Sequence, residues 1–432
     1  MKTLAAAIFC LCFAGACALA EPPAVLSRNF SSIPPQILEV PIPPEPDAIK
    51  PQCPRLPPGD RAYPDNASQP LRGVSPVSPS EMPDFADDME RAGFLSAVRA
   101  NLEYWREKPD SFSIKLGGKT YGAPLLRRSA ARLIELFSSG KTLDEIRKTV
   151  GAEFTAYKSV ADDGSNHITI TGYYEADIPV AASSDSAHTH ALYLRPPDLV
   201  RESPAPGFDY GMKKPDGSLA KYHSREQIEN GALAGKGLEF AWSAHPAEIM
   251  LLQIQGSGFA RFPDGSALRL GFDGANGWPY KSVQRILMDC GEIPAMSFAD
   301  FIKYMTSMDN GRETRIINLN PRYIFFRVMP AGEEPHGAID RPLTAGRSVA
   351  IDPEVIPLGL AGMISSTRPV ADDSGKITSF RQFSRFIATQ DTGSAIRGPG
   401  RLDLFWGSGK KAAAEASGMK ASGDLYLFVL KK

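Results

Sequence analysis

The chain has 432 residues, 43% of them hydrophobic and 22% charged, and a net charge of −1. That length is too great for one compact core and implies two or three domains plus tails. The balanced charge excludes nucleic acid and anionic lipid as bulk electrostatic partners, and 38 glycines with 37 prolines favour turns and short strands over long helices.

Residues 1–20 read as an export signal: Lys2 precedes an apolar run, and Ala18-Leu19-Ala20 is a small-x-small cleavage site. A second reading of the same stretch is a lipoprotein signal ending before Cys17, in which Phe13-Ala-Gly-Ala-Cys17 has Ala14 where leucine is usual. No later stretch has the roughly 18 apolar residues that a transmembrane helix needs. Cys10, Cys12 and Cys17 lie in the signal, leaving Cys53 and Cys290. Two cysteines make no disulfide framework and no zinc site, and whether they are bridged stays open. Residues 21–83 form a proline-dense linker without hydrophobic periodicity, an extended spacer that gives reach.

Order is expected from about Phe85. Leu95, Val98, Leu102 and Trp105 form one helical stripe, and Leu126, Ala130, Leu133, Ile134 and Phe137 a second. Thr142-Leu-Asp-Glu145 is a capping box that opens a third helix. Strand patterns follow. Residues 167–175 alternate and end in Tyr173, Tyr174 and Glu175, and residues 249–262 read as a strand with a glycine bend at Gln253-Ile-Gln255-Gly-Ser257-Gly258. Short helices are expected at residues 222–231, 281–288 and 298–308, then strands at 318–328, 348–352 and 425–430. The class is therefore α+β, mostly β, with one or more barrels.

Three acids stand at or within C-terminal strands. Asp352 and Asp391 lie at strand ends, while in residues 401–406 Leu402, Leu404 and Trp406 share one face and Arg401, Asp403 and Phe405 the other. A carboxyl held on a strand between a cation and a ring has a fixed rotamer and a tunable pKa. Read singly, Asp391 only caps a turn and Asp403 only pairs with Arg401. Gln253, Gln255 and Ser257 suit hydrogen bonding to sugar hydroxyls and amides, and Tyr174 suits stacking on a pyranose. The histidines lack metal spacing, no Gly-x-Ser-x-Gly elbow occurs, and no lysine follows the glycines, so zinc, serine-hydrolase and phosphate-loop chemistries fit poorly.

Gly172-Tyr-Tyr-Glu175, Leu252-Gln-Ile-Gln-Gly-Ser-Gly258, residues 320–327 and the set Asp352, Asp391 and Asp403 together resemble the membrane-bound lytic murein transglycosylase A family, over about residues 85–432. Ser394 replaces an expected glycine, Leu402 stands where an aromatic is common, and the spacer is longer than usual. The resemblance implies a double-psi β-barrel from residues 84–178 and 313–432. It also implies a second small β-barrel inserted at 179–312, with a groove between the two. It implies non-hydrolytic cleavage of the MurNAc-β-1,4-GlcNAc bond of peptidoglycan, ending in 1,6-anhydro-MurNAc. Asp403 would be acid and then base, Asp391 its electrostatic support, and Asp352 a structural hydrogen-bonding residue. Gln253, Gln255, Ser257 and Tyr174 would line the groove. The implied protein is a periplasmic monomer acting on glycan strands, outer-membrane anchored if Cys17 is lipidated, without cofactor, metal or nucleic acid. A non-catalytic peptidoglycan-binding module and a two-carboxylate hydrolytic glycosidase are the alternatives.

Overall fold

The computed structural model describes residues 73–161, 166–330 and 332–432. These lie in the unit Cys53–Lys432. The signal, Cys17, Cys53 and the spacer up to residue 72 are outside the described residues. The end of the proline-rich segment is part of the body: Val74–Val77 is a strand paired antiparallel with Phe154–Ser159, because Val74 is apolar enough to join the core.

Six strands close on themselves. Ile168–Pro179, Arg401–Ser408, Ser348–Ala350, Ile377–Asp391, Ala361–Ala371 and Lys420–Leu430 neighbour one another in that order, and the last returns to the first. Two of the ladders are parallel, Ser348–Ala350 on Ile377–Asp391 and Arg401–Ser408 on Ile168–Pro179. The barrel is a double-psi β-barrel. Its interior is filled by Ile170, Val349, Ile364, Ile387, Leu402, Leu404, Leu425 and Leu427, all essentially inaccessible. The face alternation expected for residues 401–406 is present: Leu402 and Leu404 lie in this core with Trp406 against it, while Phe405 packs outside it with Tyr173, Leu343 and Ala350.

Three helices cover one side of the barrel: Arg91–Arg106, Ala123–Ser138 and Leu143–Glu153, the last opened by the expected Thr142–Glu145 capping box. Polar ties at zero exposure lock the first helix to the barrel. Gln390 donates to the Ala97 carbonyl and to Asn101 Oδ1, both at 2.9 Å, and Asn101 donates to the Leu360 carbonyl. Arg347 is fully buried and donates at 2.9 Å to both oxygens of Asp87, which precedes the helix.

The Ile168–Pro179 strand runs on past the barrel. Its end, Ala176–Pro179, pairs parallel with Ser257–Arg261, which continues through Ala267–Ala275 to Ile324–Val328. Bridges Leu194–Phe326 and Ala181–Trp242, with the His190–Tyr193 and Glu239–Ser243 pair, carry the ladder round to where it began. This ring encloses a second core of Ile178, Leu192, Ala241, Ile249, Leu252, Leu270, Phe325 and Phe326. The inserted body therefore extends past the Arg312 boundary expected from sequence, because Ile324–Val328 supplies one of its strands.

Two local expectations are corrected. Residues 246–255 are a helix, Pro246–Gln255, not a strand: Pro246 sits in its first turn and Gly256 closes it at φ 81°. The segment is apolar on most sides because the helix is buried on most sides, and short apolar runs carry no period that separates helix from strand. The brief strand expected near Asp391 is the end of a long hairpin, Ala361–Ala371 with Ile377–Asp391, whose exposed half lacks an apolar alternation. Cys290 is disulfide-bonded.

Removing one partner of a buried ion pair strands the other's charge and costs about 3–5 kcal/mol. Asp87→Ala leaves the Arg347 guanidinium without its carboxylate and should lower unfolding stability by that order in a urea titration. A loss below about 1 kcal/mol would show that the pair does not hold the helical layer to the barrel.

Candidate active site

The acids are placed by register. Ala350 is the cross-strand partner of Asp391 on one side and of Asp403 on the other, and Asp403 is in turn partnered by Thr171. Asp391, Ala350, Asp403 and Thr171 thus form one row across four adjacent strands. Partnered residues share a face. The two carboxyls flank a methyl side chain, with their Cα atoms about 10 Å apart by strand spacing. Alanine leaves the space between them open. Beside the row, on the same face, Ala350 joins a small apolar cluster with Tyr173, Leu343 and Phe405, the two rings 5.2 Å apart.

Each acid is wired differently. Asp391 Oδ2 accepts from the Tyr173 hydroxyl at 2.8 Å, and Oδ1 accepts from the backbone N–H of Thr392 at 2.9 Å and of Ala338 at 3.1 Å. Asp403 Oδ1 accepts from the Thr171 hydroxyl at 2.8 Å. Among the described residues nothing donates to Asp403 Oδ2. Both acids keep partial contact with solvent yet are enclosed on their other sides. That enclosure pushes each carboxyl up to about 6, against its hydrogen bonds. For Asp403 the Asp391 charge adds to the rise, while Thr171 and Arg401 oppose it. Three donors on Asp391 offset its burial only in part, so both carboxyls come to the same range, near 6, and titrate as a pair. The opposing pulls on Asp403 are thus resolved by burial, which outweighs the Arg401 charge.

Asp352 lies beyond the row and is buried. Its Oδ2 accepts from Gly398 N–H at 2.7 Å and its Oδ1 from Glu354 N–H at 3.2 Å, with the Arg397 guanidinium 3.9 Å away. It holds the turn that joins the strand of Asp391 to the strand of Asp403, as a structural acid would.

The glutamine motif does not face the acids with its first member. Gln253 is buried, accepts from the equally buried Arg225 and donates to the Ile324 carbonyl. Gln255 is half-buried and accepts from the Tyr174 N–H at 3.0 Å, tying the helix to the shared strand. Ser257 is buried at the start of its strand, opposite Gly271. Tyr174 packs against the second core, and its neighbour Tyr173 is the tyrosine that reaches an acid. Strand alternation sends adjacent residues to opposite faces, and the double tyrosine gave no sign of which one faces the acids. Thr171 and Ala338 were not singled out from sequence either. The pairing register would have pointed to Thr171, but no local pattern marks the Ala338 N–H.

The model of the MltA-specific insert domain matches residues 169–327, and that of the 3D domain matches residues 347–429. The chain belongs to the MltA family. Membrane-bound lytic murein transglycosylase A of Vibrio cholerae is 26% identical over 268 residues, 61% of this chain and 66% of its own length. The protein of the same name from Escherichia coli K12 is 28% identical over 265 residues, 60% of this chain and 65% of its own. The chain thus aligns with just under two thirds of the length of these curated relatives. Among solved structures, the membrane-bound lytic murein transglycosylase of Agrobacterium tumefaciens has a TM-score of 0.67 at 27% identity, covering 83% of this chain and 98% of its own. Escherichia coli MltA with bound chitohexaose has a TM-score of 0.60 at 21% identity, covering 85% and 97%, a likeness of fold.

A carboxyl held near 6 in the folded state, against an ordinary 3.8, favours folding below pH 3.8 and loses that contribution as pH rises through 6. Asp403→Asn removes the ionisation while keeping an acceptor for Thr171. The variant should be more stable than wild type above pH 6, by about 3 kcal/mol, and the two should converge toward pH 4 in chemical denaturation. Equal stability at both pH values would contradict the raised pKa.

Proposed function

We propose that the protein is a peptidoglycan lytic transglycosylase that cleaves the MurNAc-β-1,4-GlcNAc bond with Asp403 as its single acid and base. The observation that carries this reading is the unequal wiring of two carboxyls on either side of Ala350: one accepts three hydrogen bonds, the other accepts one and is open at Oδ2. Protonated Asp403 donates to the glycosidic oxygen as the C1–O bond breaks, and the electron pair leaves with that oxygen. The positive charge that develops at C1 faces the standing Asp391 carboxylate, a fixed anion in a desolvated site. The C6 hydroxyl oxygen then bonds to C1, and its proton returns to Asp403, closing the 1,6-anhydro ring. A group with a pKa near 6 serves as acid and base with little penalty either way.

The substrate assignment is supported by family membership, by the names of the curated relatives and by the chitohexaose bound to the Escherichia coli structure. A two-carboxylate hydrolase needs its second acid to activate water or attack C1. Asp391 accepts three hydrogen bonds that hold it in place, which favours a fixed electrostatic role for it over attack on C1 or activation of water. We place the protein in the cell envelope, on the export reading of residues 1–20 and the relatives' membrane-bound designation. Among the described residues no helix is long and apolar enough to cross a membrane.

Mass spectrometry of muropeptides released from purified sacculi tests this directly. Wild type should release anhydro-muropeptides, with a rate that falls as pH rises above about 6, and Asp403→Asn should lose at least about 1,000-fold. Asp391→Asn should retain the anhydro product at a reduced rate. Reducing-end products would instead mark a hydrolase, and release of neither product a binding module.

A further inference from the structure

The strand Ile168–Pro179 supplies two hydroxyls on one face, two residues apart, and each goes to a different acid: Thr171 to Asp403 and Tyr173 to Asp391. The proposed reaction gives Thr171 no task. Its hydroxyl has one proton and two acceptors in reach, Asp403 Oδ1 at 2.8 Å and the Leu402 carbonyl at 3.4 Å. The nearer acceptor is a carboxyl oxygen and takes it. Register holds the contact, since Thr171 and Asp403 are direct partners in a parallel ladder inside a closed barrel. A β-branched side chain there has few rotamers to choose from. Gly172 follows it because Cβ at that position would come within 2.6 Å of Trp406 Nε1 and 2.8 Å of Ala416 Cα, so the local backbone has no room to shift.

We infer that Thr171 is a positioning residue that selects which oxygen of Asp403 carries the proton. This rests on the proposed role of Asp403. An oxygen accepting the Thr171 hydroxyl is the poorer site for a proton, so the proton sits on Oδ2, the oxygen to which nothing else donates among the described residues. Oδ2 then delivers its proton to the glycosidic oxygen and takes one back from the C6 hydroxyl, while Oδ1 stays fixed throughout. The same hydrogen bond stabilises the transient carboxylate. The other groups facing Asp403 are the Asp391 carboxylate, the buried Tyr173 phenol and the Arg401 guanidinium on its own strand. Thr171 is the one in direct hydrogen-bond contact with it.

The test compares full-length mature wild type, Thr171→Val, Thr171→Ser and Asp403→Asn, following anhydro-muropeptide release from about pH 4.5 to 8. Valine keeps the shape and removes the donor. Thr171→Val should lower kcat about tenfold with KM unchanged, and the alkaline limb should move up by about one pH unit because the carboxylate has lost its hydrogen bond. Thr171→Ser should restore both kcat and the position of the limb. Wild-type kinetics in Thr171→Val, a lower kcat with an unmoved limb, or a serine variant no better than valine would each overturn the inference. Asp403→Asn keeps the two readings apart: if it retains activity, the role of Asp403 itself is wrong, whatever Thr171 does.

Discussion

The site depends on one constraint, the register of three neighbouring strands at Ala350. That residue pairs with Asp391 across a parallel ladder and with Asp403 across an antiparallel one. A slip of one residue in either would turn an acid to the opposite face. The parallel ladder carries one such irregularity here, a bulge between Val349, which partners Thr389, and Ala350, which partners Asp391, and it is this bulge that sets Asp391 opposite Ala350. The ties on the far face add to this. Gln390, next to Asp391, is locked by Ala97, Asn101 and Ser348, so Asp391 has one direction left to point. The helical layer is thus part of the machinery that aims a carboxylate, although none of its residues touches the acids.

The same economy governs how the two bodies meet. A single strand, Ile168–Pro179, belongs to both rings. Its first half carries Thr171 and Tyr173 to the acids, and its second half opens the inserted body. Gln255 clasps the join by accepting from Tyr174, and Gly258 allows its close approach, since Cβ there would meet the Ala176 carbonyl oxygen at 2.2 Å. The glutamine-glycine motif is accounted for by this clasp and by the Gln253–Arg225 contact, which bind the inserted body to itself and to the shared strand.

What could be read from sequence follows from where information is local. The amphipathic stripes around Trp105 and Leu133, the Thr142 capping box and the alternation from Arg401 to Trp406 are set by neighbours a few residues away, and each was readable. Of the three acids singled out, Asp391 and Asp403 share one row across the barrel strands, while Asp352 lies beyond it. What was not readable is long-range. The apolar run ending at Gln255 looked like a strand because burial on most sides blurs the period that marks a helix. The helix Gly409–Gly418 passed unnoticed among small residues that give no stripe. Tyr173 rather than Tyr174 faces Asp391, and Thr171 rather than Arg401 touches Asp403, because pairing partners lie more than 200 positions apart. The boundary at Arg312 that the resemblance implies falls short of Ile324–Val328, the strand that completes the sheet of the inserted body.

The account turns on Asp403 holding its proton toward neutrality beside Asp391. Carbon-13 NMR of the aspartate carboxyls, titrated in wild type and in Asp403→Asn for assignment, measures this without reference to any substrate. Two carboxyls, those of Asp391 and Asp403, should titrate with apparent pKa values near 6, and the one that vanishes from the Asp403→Asn spectrum is that of Asp403. If the resonance assigned to Asp403 instead titrates at about 4, like an ordinary aspartate, the burial and pairing described above do not raise its pKa and the single-acid mechanism loses its basis.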